Sequence, residues 1–99
     1  MGKVIFSIQY EIRPEKREEF LQAGKELKSL ISAEGLESYS IYEIKGKTNL
    51  FEEVYIFTSA EFYENFDDAE NERVNVLLSK MEDIKVQNTT KYNTLFELI

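Results

Sequence analysis

The sequence predicts an α+β fold with the element order β-α-β-β-α-β. Three observations lead there. The opening run alternates with period two, two later stretches carry apolar stripes at helical spacing, and three further β-rich runs are set off by short polar turns.

In KVIFSIQYEIR, residues 3–13, Val4, Phe6, Ile8, Tyr10 and Ile12 alternate with Ile5, Ser7, Gln9 and Glu11, so this is the first strand. Pro14 follows, where a missing N–H suits a first helical turn. The helix PEKREEFLQAGKELKSLISAE puts Phe20, Ala23, Leu27, Leu30 and Ile31 on one stripe, with glutamates at its positive end. Gly24 lowers helix propensity but allows close approach to the sheet, and Gly35 supplies a left-handed stop. LESYSIYEIK is the second strand, GKTN a turn and NLFEEVYIFTS the third strand. Thr58 and Glu61 fit a capping box that opens the short helix SAEFYENF. A break near Asp67–Asp68 precedes a helix starting at DDAE, with Val74, Leu77, Leu78 and Met81 on one face, and KYNTLFELI is the last strand. This order gives one ferredoxin-like domain over residues 1–99, a four-stranded antiparallel sheet with its helices on one face.

Composition narrows the chemistry. With no cysteine and no histidine, the chain has no thiolate nucleophile, no imidazole base and no imidazole ligand for zinc or haem. Ser38 and Ser40 therefore have no histidine to activate them. A net charge of −7 repels phosphate backbones and anionic lipid, so neither nucleic acid nor membrane is an expected partner. No apolar run approaches the roughly 20 residues of a membrane span. MGKVIFSIQYEIRPEKR has no signal-peptide cleavage pattern, and a cytoplasmic location is expected by default. The acidic cluster Asp67, Asp68, Glu70 and Glu72 matches no EF-hand spacing and reads as a helix start.

The third strand poses a packing problem. Phe51, Glu53, Tyr55 and Phe57 form one face; Leu50, Glu52, Val54, Ile56 and Thr58 form the other. Both are largely apolar, yet a single helical layer covers only one side, so a second copy of the chain is the expected cover for the other. Glu52 would then meet that partner, through an ion pair or a hydrogen bond.

The segments EIRPEKREEFLQA, AEGLESYSIYE and VYIFTSAEFYENF resemble the dimeric α/β-barrel superfamily, and within it the antibiotic-biosynthesis-monooxygenase-like (ABM-like) group. The resemblance spans nearly the whole chain. It implies a homodimer with a ligand cavity between each sheet and its own helices. Many members of that group have a glutamate and a tryptophan late in the third strand and a histidine ending the next helix. Tyr55, Phe57 and Phe66 stand at those positions here, which excludes haem degradation by a histidine-ligated route.

Glu53 is the candidate catalytic residue. Under the helices, among Phe51, Tyr55 and Phe57, a carboxylate is desolvated and gains the strength of a general base toward a phenol or an activated carbon. The competing reading ties it to a tyrosine hydroxyl or a lysine as a structural contact. Tyr10, Tyr55, Phe57, Phe62, Phe66 and Met81 are the expected lining of a pocket for a small apolar or aromatic ligand. Phe62 and Phe66, four apart, could act as its lid. No cofactor is expected. The function implied is a cofactor-independent oxygenase or isomerase, or alternatively a non-catalytic binding or dimerisation module.

Overall fold

The computed structural model describes residues 2–67 and 71–99. Strand β1 runs Val4–Glu11, and after a 3-10 turn at Pro14–Lys16 helix α1 runs Arg17–Leu30. Strands β2 (Leu36–Glu43) and β3 (Leu50–Phe57) form a hairpin. Helices α2 (Ala60–Glu64) and α3 (Glu72–Ile84) lead to β4 (Lys91–Phe96). The sheet is antiparallel throughout, in the order β2-β3-β1-β4. The expected β-α-β-β-α-β order and one-sided helical layer are thus observed.

The boundaries differ in instructive ways. The first helix ends at Leu30 and the chain is already extended at Ile31, so Gly35 does not stop it. Gly35 instead takes a φ of 78° in the turn entering β2, where an added Cβ would collide with Phe62. The cap of α2 is Ser59, whose hydroxyl accepts from the Phe62 N–H, and not Thr58. Phe66 lies beyond the end of α2 and so does not share a helix with Phe62. Asn71 caps α3 by accepting from the Val74 N–H at 3.1 Å. The expected helix start at DDAE falls largely on residues 68–70, outside the described residues, as do Asp68 and Glu70 of the acidic cluster, while Glu72 opens α3.

Val4, Tyr10, Ile12, Phe20, Leu27 and Phe57 anchor a core between sheet and helices. Gly24 is buried on α1, and a Cβ there would reach the Ile41 side chain at 3.0 Å, so its close approach to the sheet is realised. An ion pair from Arg73 to Glu26 ties α3 to α1. Another cluster fixes the β2–β3 turn to α1. Arg17 donates to Glu43 at 2.6 Å and to the Asn49 side chain at 2.9 Å, while Glu43 also accepts from the Asn49 backbone N–H.

Candidate functional site

The β1–β3–β2 register decides which side chains gather at the sheet centre. Glu53 stands opposite Ile8 on one side and Ile41 on the other. Tyr10 and Tyr39 are each two residues along from those partners, one on each flanking strand, where long side chains reach diagonally across the ladder. Both tyrosines converge on Glu53. The Tyr10 hydroxyl donates to Oε2 at 2.5 Å, and the Tyr39 hydroxyl donates to Oε1 at 2.6 Å.

This trio is enclosed. Glu53 is 2% exposed, Tyr10 is fully buried and Tyr39 is nearly so. The Tyr39 ring packs on Tyr55 at 4.8 Å, and the Tyr10 ring meets the edge of Phe20 with the Lys85 ammonium over its face. Burial pushes both phenols far above the usual tyrosine range, and the neighbouring Glu53 carboxyl adds to the shift. Both hydroxyls therefore keep their protons and act as donors.

Glu52 takes the opposite face. It lies across from Gln9 and Tyr42, and its Oε1 accepts from the Gln9 side chain at 3.2 Å. Each glutamate of the pair thus serves its own layer of the sheet.

The residues expected to line a pocket are dispersed. Tyr55, Phe57 and Phe66 come together, with Phe66 at 5.5 Å from Tyr55 and 5.2 Å from Phe57. Tyr10 approaches Glu53 from the far side, and Met81 is buried on α3 within the core. Phe62 packs over Gly35 and, with Phe66, lines a hollow of about 300 Å³ that also touches Glu34 and Glu61. A cleft of about 340 Å³ opens elsewhere, between α1 and β2.

Tyr39 is outside the expected pocket lining, although a tyrosine hydroxyl on Glu53 is one of the contacts the sequence allows. A readable signal was present: with the hairpin turn centred on Lys47, residue 39 falls opposite residue 55 and shares the Glu53 face. The α1–β2 cleft left no such trace, because it depends on where a helix crosses a strand. Among the described residues no three acidic side chains converge as a metal-holding group.

No protein-family model matches the sequence, and no curated protein does. Solved structures do resemble it. An antibiotic biosynthesis monooxygenase candidate from Caulobacter crescentus superposes with a TM-score of 0.80 at 12% identity, over 99% of this chain and 92% of that one. A second such candidate, from Bordetella bronchiseptica, gives 0.77 at 8% identity over 100% of both chains. A conserved protein of unknown function from Bacteroides thetaiotaomicron, suggested to be an oxidoreductase, gives 0.75 at 14% identity over 97% and 98%. At such identities the likeness is one of backbone architecture: the chain has the ABM-like fold.

Proposed function

We propose that the chain is a homodimeric, small-molecule-binding domain that performs cofactor-independent chemistry on an aromatic or quinol-like compound, with Glu53 as its general base. The observation that carries this reading is a carboxyl group buried to 2% exposure between two phenol donors, beneath the helices. Burying a carboxyl group is costly, and such groups concentrate where chemistry needs them. Because each oxygen already holds a tyrosine hydroxyl, a substrate proton reaches Glu53 by relay through Tyr39, the less buried of the two phenols, which passes its proton inward as it takes one from the substrate. A quinol deprotonated this way is electron-rich and reduces dioxygen itself. Pairing of two copies is supported by the uncovered sheet face, where Ile5 faces Ile56 and Leu95 is 54% exposed.

Oxygen uptake with a panel of hydroquinones and naphthols is the test. Glu53→Gln is expected to keep the fold and abolish turnover, and unchanged turnover would remove Glu53 from the chemistry.

A second reading has its own support. With both oxygens satisfied and almost no exposure, Glu53 also serves as an internal crosslink joining β1, β3 and β2, as a non-catalytic binding or dimerisation module would use it. Native mass spectrometry of the purified protein separates the two, since a module carries any co-purified compound unchanged.

A further inference from the structure

The cleft between α1 and β2 is walled by Phe20, Ile41 and Phe51, opens at Gly24, and is rimmed by Lys25 and Lys28. Its volume of about 340 Å³ falls within the range of small-molecule sites. Its polar lining consists of Lys25, Lys28, Ser40 and Tyr42, with no carboxylate, although the chain as a whole carries a charge of −7. Of the acids next to lining residues in the chain or across the ladder, Glu43 is paired with Arg17 and Glu26 with Arg73, while Glu52, across from Tyr42, accepts from the neutral Gln9 amide.

Lys28 is held in place. Its ammonium donates to the Tyr39 carbonyl at 3.0 Å and to the Ser40 hydroxyl at 2.9 Å, two neutral acceptors that leave its charge uncompensated and one N–H available. Neither Lys25 nor Lys28 forms an ion pair among the described residues. Since the Tyr39 carbonyl points outward from the edge strand, alternation places the Ile41 backbone groups on the same outer edge, beside the cleft. Gly24 contributes by omission, because any side chain there would crowd Ile41.

We infer that this cleft binds a small organic anion with an aromatic or aliphatic body and a single carboxylate. The body lies on Phe20, Ile41 and Phe51, and the carboxylate meets Lys25 and Lys28. A fixed cation beside an apolar floor favours such a ligand over its neutral analogue, because the ammonium is positioned before binding. The site is separate from Glu53 and does not depend on its role.

Amide NMR titration of the full chain with 2-naphthoate and with 2-naphthalenemethanol tests this. The carboxylate is expected to shift the Gly24, Lys25 and Ile41 amides saturably and to bind about tenfold more tightly than the alcohol. Lys25→Glu should erase that preference, and Lys25→Gln should reduce it if the charge reversal perturbs folding. Equal binding of acid and alcohol, shifts centred elsewhere, no shifts at all, or a preference unchanged in both variants would each overturn the assignment.

Discussion

Glu53 shows how one side chain serves several strands at once. Its two oxygens accept from tyrosines on β1 and β2, so each hydrogen bond stitches a neighbouring strand to β3. Tyr39→Phe would leave Oε1 buried without its donor, and a loss of about 1–3 kcal/mol is expected in urea denaturation. Replacing all three, Tyr10→Phe with Tyr39→Phe and Glu53→Leu, removes donors and acceptors together. That triple variant should be more stable than Tyr39→Phe alone, and a further loss would show that the trio contributes more than its own satisfaction. A second carboxylate gives a pH signature. Hydrogen bonds from Arg17 and from the Asn49 N–H hold Glu43 down at about 2, below its ordinary 4.5. A depressed folded value means the contribution is complete above 4.5 and is lost as pH falls toward 2. Glu43→Gln should therefore flatten the acid limb of the stability profile, and an unchanged limb would mean that this exposed cluster contributes nothing to folding.

Among the elements, the turn from α1 into β2 is the most sharply determined. Gly35 combines a φ of 78° with a contact that leaves no space for a Cβ against Phe62. Gly35→Ala is expected to destabilise by more than about 1 kcal/mol, and adding Phe62→Ala should recover part of that, since it removes the collision but not the backbone strain. Additive losses in denaturant melts would rule out the collision. Strand β3 was legible because its period-two alternation survives as alternating burial, whereas in β1 the alternation is one of residue type only, with burial falling on Val4, Ser7 and Tyr10. Helix ends were less legible. Leu30 and Ile31 fit the apolar stripe equally well, and only the extended backbone at Ile31 separates helix from turn. Ser59 and Thr58 are both good caps by composition, and the choice falls on whichever hydroxyl reaches the Phe62 N–H.

At the scale of the whole molecule, the sheet remains half-clad, with Ile5, Val54, Ile56 and Leu95 on the side away from the helices. If a second copy covers it, Ile56→Lys should yield a folded single chain in sedimentation, while an already monomeric parent protein would refute the pairing. The amino-acid order by itself determined the strand and helix sequence, the separation of Glu52 from Glu53 onto opposite faces, and the exclusion of histidine and cysteine chemistry. Alternation and composition are local properties, so they can be read along a line. Only tertiary structure brought Tyr39 and Tyr10 onto the same carboxyl group, and only it opened a lysine-rimmed cleft where Gly24 passes Ile41. Those features depend on strand register and on the placement of a helix over a sheet, which long-range packing fixes and no short stretch of residues encodes.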